Sequence, residues 1–242
     1  MTTRRRFFAP TGAFNFSKRS VTLTADEARH LREVLRLKPG DEVSVFDGEG
    51  REFRARVAQA RREFAELELQ DEIEPARPES PLKITLAVAL LKGEKFDLVV
   101  QKATELGVVK IVPLITRYAD IKLRDEADAT KRVARWQRIA VEAAKQSGRG
   151  LVPEVSSPNP LGSVLKSTSL LFSEKAGEGL KQIETDEVTA IIGSEGGWSD
   201  EELEQARAAG AQIVTLGGRI LRAETAALTA AALLQHRFGD LK

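Results

Sequence analysis

The sequence predicts a mixed α/β protein with two domains: a small β-barrel-like module, followed by a larger body in which strands and helices alternate. Residues 75–81 hold three prolines in seven positions, which neither a helix nor a sheet ladder accommodates. Before this linker, apolar and polar residues mostly alternate. After it, β-branched runs alternate with helical periodicity. We therefore expect domains at residues 1–74 and 82–242, joined by the linker 75–81.

Composition restricts the class of protein. The 242 residues are 42% hydrophobic and 30% charged, as in ordinary globular proteins. No apolar run approaches the ~18 residues that a membrane helix needs. The chain has no cysteine and only two histidines, His30 and His236, so we expect no disulfide, no thiolate chemistry and no metal site. A cytoplasmic protein without membrane association is the resulting expectation.

Charge is unevenly distributed along the chain. Residues 1–62 hold 14 Lys and Arg against 8 Asp and Glu, whereas residues 63–79 hold one Arg against seven acids. A basic amino-terminal module favours an anionic macromolecular partner. A solvated basic surface without a partner explains the same charge.

The first domain has the pattern of strands around one helix. Thr24 and Glu27 have the spacing of a capping box, which predicts a helix from this point to about Leu37. Asp47-Gly48 indicates a hairpin turn. Strands are predicted at Val21–Leu23, Glu42–Phe46, Arg51–Ala58 and Phe64–Leu69, with Phe53, Ala55 and Val57 on an apolar face and Arg54 and Arg56 on a basic one.

The second domain has the alternation that is typical of parallel crossover units. Ser199 and Glu202 predict a capped helix that ends at Gly210, and Gly107 ends an earlier helix. Strands are predicted at Leu82–Leu91, Val108–Ile115, Ser169–Phe172, Thr189–Ile192 and Gln212–Leu216. Helices are predicted at Gly93–Leu106, Asp128–Ser147 and Ala223–Arg237, besides the one after Ser199.

Two glycine-bearing turns in this domain indicate a ligand site. One covers Gly193–Gly197 and the other Leu216–Arg222, and each follows a predicted strand and precedes a helix. Glycine backbone can approach a ligand closely, and neighbouring strand ends share one sheet edge, so the turns predict one small-molecule site. There is no P-loop, and no G-x-G-x-x-G follows the first strand of this domain.

Polar residues near these turns allow two interpretations each. Arg222 can hold an anion or a developing negative charge, or it can pair with Glu224 and only fix the loop. Gln146 and Arg149 either face the same cleft or lie at a solvated helix end. The last helix carries six alanines between Ala223 and Ala232. It therefore packs closely either within its own subunit or against a second one.

At these residues the sequence resembles the bacterial 16S ribosomal RNA uridine-N3 methyltransferases of the SPOUT, or trefoil-knot, class. Nearly the whole chain takes part in the resemblance. The matching segments are Gly193–Ser199, Leu216–Ala226, Arg5–Phe8, His30–Arg36, Lys102–Gly107, Glu142–Arg149 and Arg237–Leu241. One departure is Ser194, where the family usually has proline.

The resemblance implies a PUA-like barrel that binds RNA, a SPOUT domain that binds S-adenosylmethionine, and a homodimer. Backbone groups of the late loops are expected to hold the cofactor. The residues implied are Leu171, Phe172, Ile192, Gly193, Ser194, Glu195, Gly196, Gly197, Leu216, Gly217, Gly218, Ile220, Leu221 and Thr225.

The implied reaction is attack of uracil N3 on the sulfonium methyl group. N3 carries a proton, so the site must stabilise a uridine anion or remove that proton. Arg222 is expected to stabilise the anion, and Glu224 or Glu195 to accept the proton or orient the base. The expected contacts to 16S rRNA, in the small ribosomal subunit, are Arg4, Arg5, Arg6, Arg29, Arg32, Arg36, Arg54, Arg56, Gln146 and Arg149.

Two other functions stay open on the sequence. One is a SPOUT-class enzyme that methylates ribose 2′-OH in tRNA or rRNA. The other is a non-catalytic RNA-binding factor in ribosome assembly that keeps the fold.

Overall fold

The computed structural model describes residues 5–175 and 177–242, which form two compact units. The first unit runs to Glu79 and also contains Ala144–Val152. The second contains Ser80–Ala143 and Pro153–Lys242. The first division lies between Glu79 and Ser80, and residues 144–152 belong to the first unit although they follow this division in the sequence. Hydrogen bonds explain this placement, since the Val152 N–H donates to Gly48 O across 2.9 Å.

The first unit is built on a six-stranded sheet in the order β1-β4-β5-β6-β3-β2, in which only the β1–β4 pair is parallel. The turn at Asp47-Gly48 is confirmed. Gly48 has φ +81°, and Asp47 Oδ1 accepts the backbone N–H groups of Glu49 and Arg51. The strands are β1 (Arg6–Phe8), β2 (Phe14–Asn15), β3 (Ser20–Leu23), β4 (Glu42–Phe46), β5 (Glu52–Ala60) and β6 (Ala65–Ile73).

Buried and exposed side chains alternate along β5, and the buried ones form part of the core of this unit. Phe53, Ala55 and Val57 are buried in it, whereas Arg54 and Arg56 are exposed, as the sequence predicts. Side chains on one face of a strand share an environment because successive residues point to opposite faces.

The predicted capping box of the first helix is wrong. α1 (Ala25–Arg29) begins after Thr24, whose side chain makes no cap hydrogen bond, while Glu27 is buried and accepts Lys145 Nζ at 2.6 Å. α1 continues as a π-helical turn over His30–Val34. It ends before Leu37, because Arg36 adopts a left-handed conformation with φ +54°.

The second unit contains a seven-stranded parallel sheet in the order β10-β8-β7-β12-β11-β13, with the short β9 also paired to β8. Because all strands are parallel, their carboxyl ends lie along one edge. The strands are β7 (Lys83–Ala89), β8 (Val108–Ile115), β9 (Glu154–Val155), β10 (Asn159–Pro160), β11 (Ser169–Phe172), β12 (Glu187–Ile192) and β13 (Gln212–Val214).

Helices cover this sheet and end where the sequence predicts. The capping box of α4 is confirmed, since Ser199 Oγ accepts the Glu202 N–H and a Glu202 carboxylate oxygen accepts the Ser199 N–H. Gly107 and Gly210 follow α2 and α4 with φ +81° and +78°. The helices are α2 (Lys95–Glu105), α3 (Glu126–Ser147), α4 (Asp200–Ala208) and α5 (Ala223–Phe238). Within residues 5–175 and 177–242, none of them is long and apolar enough to cross a membrane.

The alanine-rich α5 packs against its own unit through one face. Ala223, Ala227, Ala230, Ala231 and Leu234 are buried there, and the helix contacts α2, β7 and β12. The interpretation of this helix as packed within the subunit is therefore correct for this face.

Candidate active site

The carboxyl ends of β11, β12 and β13 meet at a cavity of about 240 Å³ in the second unit. Two loops supply most of its wall: the first glycine loop (Gly193–Gly197) after β12 and the second glycine loop (Leu216–Arg222) after β13. Both turns that the sequence analysis singles out therefore line one cavity. Such an edge is where parallel α/β sheets commonly bind ligands.

Most of the residues expected to hold a cofactor line this cavity. They are Phe172, Ile192, Gly193, Ser194, Glu195, Gly197, Leu216, Gly217, Ile220 and Leu221. Four others do not line it. Leu171 is fully buried inside the sheet, Gly196 packs against Tyr118, and Gly218 and Thr225 are exposed elsewhere on their segments.

Sequence reasoning missed several lining residues. Trp198 and Arg219 stand within the quoted motifs and could have been included. Ser173 and Glu174 directly follow β11, so the shared carboxyl edge of the sheet was the signal for them. The complete set of additional lining residues is Ser173, Glu174, Trp198, Val214, Thr215, Arg219, Ala223 and Ala226.

Trp198 fixes the first glycine loop against β11. Its indole N–H donates to the carbonyl oxygen of Phe172 across 2.8 Å in the protein interior. The indole ring covers Gly193, where an added Cβ would lie 3.0 Å from a ring carbon. A glycine is therefore needed at this position for the ring to close the cavity wall.

The segment after β11 forms a third wall by crossing β13. Ser173 N–H donates to Val214 O at 2.9 Å, and Thr215 Oγ1 donates to Ser173 O at 2.8 Å. At Gly177 a Cβ would lie 2.5 Å from Thr215 Oγ1. Only glycine allows the two chain segments to approach so closely.

The lining fits a cofactor that has both apolar and hydrogen-bonding parts. Phe172, Ile192, Leu216 and Leu221 provide apolar surface. Ser194 Oγ is buried and has no hydrogen-bond partner among the residues that the structure describes. Buried hydroxyl groups usually have a partner, so this one suits a ligand that supplies it. An adenosine group with its ribose hydroxyls has this character.

Two charged side chains, Glu195 and Arg222, line the cavity, and two more, Lys95 and Glu224, lie beside them. Lys95 Nζ lies 2.7 Å from a carboxylate oxygen of Glu195 and 3.6 Å from Glu224 Oε2. Arg222 lines the cavity at the amino terminus of α5, where it is exposed and makes no ion pair with any described residue. The sequence shows no link between Lys95 and the loops. Only the packing of α2 brings it there.

These contacts change the pKa values of Glu195 and Lys95. Partial burial raises the pKa of Glu195, but the hydrogen bonds from Lys95 and from the Glu195 backbone outweigh it, so this pKa lies below the usual 4.5. The hydrogen bond to Glu195 raises the pKa of Lys95 above 10.5. Both groups are therefore charged at neutral pH, and Glu195 is a weak base.

The structure changes the set of arginines that are candidates for RNA contact. Arg6 and Arg149 are buried, against expectation, with their guanidinium groups on Glu52 and Glu79 at 3.1 and 2.6 Å. Both side chains are already committed inside the first unit, so neither is free to neutralise a phosphate. Gln146 is exposed and does not line the cavity. Arg4 lies outside the described residues.

The remaining candidate arginines are accessible but mostly paired. Arg5, Arg29, Arg32, Arg54 and Arg56 lie within 4.0 Å of Asp41, Asp26, Glu33, Asp71 and Glu42, respectively. Arg36 is exposed and has no ion pair within the described part of the chain. The acidic run 63–79 belongs to the same unit as residues 1–62, so the net charges of these two segments cancel within it.

The fold and the site define a parallel α/β enzyme domain with a cofactor-sized cavity at its carboxyl edge, in a chain that also contains a small β domain. Residues 78–235 match the RNA methyltransferase domain model, and residues 23–70 match the RNA methyltransferase PUA domain model. The chain belongs to the RNA methyltransferase family. It therefore has a PUA-like first domain and a SPOUT second domain, as the resemblance implies.

Named relatives agree with this assignment. The chain is 37% identical over 225 residues to ribosomal RNA small subunit methyltransferase E of Synechocystis, covering 88% of this chain and 72% of that protein. The crystal structure of ribosomal RNA small subunit methyltransferase E from Neisseria gonorrhoeae, bound to S-adenosyl methionine, superposes with a TM-score of 0.87. That pair is 37% identical and covers 99% and 100% of the two chains. A putative methyltransferase from Legionella pneumophila in complex with the same cofactor has a TM-score of 0.87 and 33% identity, over 98% and 99% of the two chains.

Proposed function

We propose that this protein transfers a methyl group from S-adenosylmethionine to N3 of a specific uridine in 16S rRNA, as a cytoplasmic homodimer. The observation that carries the proposal is the cavity at the carboxyl ends of β11–β13, with Arg222 at its mouth. It occurs in an RNA methyltransferase whose fold matches a small-subunit enzyme crystallised with that cofactor.

The cofactor supplies an electrophilic methyl group when it is bound, and the chain's task is to make the uracil nucleophilic. Arg222 stabilises the negative charge that develops on a uracil carbonyl oxygen as the N3 proton leaves. Its exposed guanidinium has no ion pair with a described residue, so it is available to the substrate.

Glu224 is the better acceptor for the N3 proton. Its Oε2 atom is buried and has no hydrogen-bond donor among the described residues, although the Lys95 ammonium is 3.6 Å away. Glu195 is held by Lys95 at 2.7 Å, and its lowered pKa makes it a poor base.

RNA binding by the PUA-like unit rests on its exposed cations. Arg36 is the leading contact, with Arg5, Arg29, Arg32, Arg54 and Arg56 able to exchange their carboxylate partners for phosphate. Such exchange releases counterions and makes the affinity dependent on salt.

A second copy would cover the exposed apolar residues of two helices that pack together. Leu98 of α2 and Leu233 of α5 are 41% and 39% exposed. Analytical ultracentrifugation of the wild type and of Leu233→Glu tests this part. We expect a dimer that dissociates in the variant, and a monomeric wild type would contradict the assembly.

The test of the activity uses labelled S-adenosylmethionine and small ribosomal subunits from cells that lack this enzyme. Nucleosides from the treated RNA are separated and identified by mass spectrometry. We expect 3-methyluridine at one position. A 2′-O-methylated nucleoside would show ribose methylation instead, and absence of both label transfer and cofactor binding would favour a non-catalytic assembly factor.

A further inference from the structure

Lys95 connects the first glycine loop to the start of α5 through two carboxylates. It is the first residue of α2, and its ammonium contacts Glu195 of the first glycine loop at 2.7 Å and Glu224 of α5 at 3.6 Å. The side chains of Lys95 and Glu195 are about one-third exposed, and that of Glu224 is 14% exposed. The cluster thus lies at the boundary between cavity and solvent, where charges are only partly screened.

The balance of charge in this cluster depends on Lys95. Lys95 contacts both carboxylates. Arg222 lines the same cavity as Glu195, lies two residues before Glu224 and is close enough to oppose the charge on Lys95. Asp120, near Glu195, is already held by Lys92 at 2.7 Å. Without Lys95, Glu195 and Glu224 would both lack their cation, and Arg222, which lines the same cavity as Glu195 and lies two residues before Glu224, would be available to pair with them.

We propose that Lys95 is a positioning residue for methyl transfer: by neutralising Glu195 and Glu224, it keeps the Arg222 guanidinium free for the charge that develops on the substrate base. This inference rests on the proposed function of the same site. It assigns Lys95 a role in the arrangement of Arg222 and no contact with the reacting atoms. A guanidinium captured by a carboxylate would have to leave it before stabilising the substrate, which raises the barrier of the chemical step.

The central variant is Lys95→Met, measured in the full-length protein. We expect kcat for methyl transfer to fall roughly tenfold to a hundredfold, since a preorganised donor is lost indirectly. The dissociation constant of S-adenosylmethionine, measured by calorimetry, should change less than about twofold, because binding and chemistry are separable contributions. Lys95→Arg keeps the charge and should retain most of the activity.

A rescue distinguishes positioning from a structural role. In Lys95→Met/Glu195→Gln one competing carboxylate is removed, so kcat should rise several-fold above that of Lys95→Met alone. If Lys95 only stabilised the fold, the second substitution would not restore turnover. Lys92→Met is the matched control, because it also breaks an exposed lysine–carboxylate pair, that with Asp120, and should leave kcat unchanged.

A crystal structure of Lys95→Met tests the inference independently of the product. We expect the Arg222 guanidinium within 4 Å of Glu195 or Glu224, whereas in the wild type it stays free of both. Unchanged turnover in Lys95→Met, or an Arg222 that remains free there, would overturn the inference. A wild-type product other than 3-methyluridine would instead overturn the proposed function, while the Arg222 arrangement would still decide the role of Lys95.

Discussion

The indole N–H of Trp198 donates to the backbone carbonyl of Phe172, which joins the loop after β12 to the end of β11 at the floor of the cavity. Both residues line the cavity, so the bond sets the distance between two of its walls. The shape of the cofactor site therefore depends on one buried hydrogen bond as well as on the glycines around it.

Trp198→Phe should weaken both the fold and the site. The buried Phe172 carbonyl would lose its donor, which costs about 1–3 kcal/mol of unfolding free energy. We expect this loss in urea denaturation, together with weaker S-adenosylmethionine binding by calorimetry. Trp136→Phe is the control, because it also removes an indole hydrogen bond, to Asp97, at a residue that does not line the cavity. Equal cofactor affinity in the wild type and Trp198→Phe would refute the argument.

Gly196→Ala should disrupt the first glycine loop, although Gly196 does not line the cavity. A Cβ there would lie 2.7 Å from Tyr118 Cβ and 3.1 Å from the Tyr118 carbonyl oxygen, so one of the two segments must move. We expect a lower melting temperature and reduced cofactor affinity. Gly218→Ala is the matched variant in the second glycine loop, where a Cβ has no neighbour within 4 Å. If the two variants have the same melting temperature and cofactor affinity, close packing against Tyr118 does not determine the conformation of the first glycine loop.

Arg222→Ala should abolish methyl transfer while cofactor affinity changes little. The guanidinium is assigned to the substrate anion, and loss of such a donor commonly reduces kcat by about 10²–10³. Arg219→Ala removes a second exposed cation of the same loop and should affect kcat much less. Single-turnover rates with labelled cofactor measure both. Near-normal turnover in Arg222→Ala would exclude this residue from the mechanism.

The sequence predicted those parts of the molecule that depend on local chemistry. The Ser199–Glu202 capping box, the glycines after α2 and α4 and the alternation in β5 each involve residues close in the chain, and the structure contains all three. The same local reasoning failed at Thr24, because Glu27 is used in a buried pair with Lys145 that is distant in sequence.

The part of the site that the sequence could not predict depends on contacts between distant residues. Lys95 reaches Glu195 across 100 positions, and no periodicity marks it. Arg6 and Arg149 look like surface cations in the sequence, and only their burial against the carboxylates of Glu52 and Glu79 shows them to be structural.

Cofactor binding should be insensitive to pH over the neutral range. Glu195 has a lowered pKa in the folded protein, so its charge and the part of the unfolding free energy that depends on it are retained above pH 4.5 and lost as the pH falls through the folded value. Lys95 has a raised pKa, so its charge and its part of the unfolding free energy are retained below pH 10.5 and lost as the pH rises through the folded value. Calorimetry should give a constant affinity from about pH 6 to 9, with a decline only at the extremes.

Variants of two glutamates test which group causes the loss of cofactor affinity at acid pH. Glu195→Gln should remove or reduce it. Glu72→Gln should not, although Glu72 also has a lowered pKa through its hydrogen bond from Arg51, because that pair lies in the first unit. A midpoint between pH 6 and 9 would point to a different titrating group.

Substitutions at Arg36 and Arg6 should affect different properties: the first RNA binding, and the second the stability of the fold. Arg36→Ala removes an exposed cation that has no ion pair within the described residues. It should leave the unfolding free energy unchanged and weaken binding to 16S rRNA fragments. The salt slope, which is the dependence of the logarithm of the binding constant on the logarithm of the salt concentration, should decrease in magnitude by about 1.

Arg6→Met leaves Glu52 buried without its cation, which costs about 3–5 kcal/mol of stability. At temperatures where this variant is still folded, its salt slope should equal that of the wild type, because a guanidinium enclosed by Glu52 and the Arg149 carbonyl releases no phosphate counterion. A reduced salt slope in folded Arg6→Met, or an unchanged one in Arg36→Ala, would reverse the assignment of the two arginines.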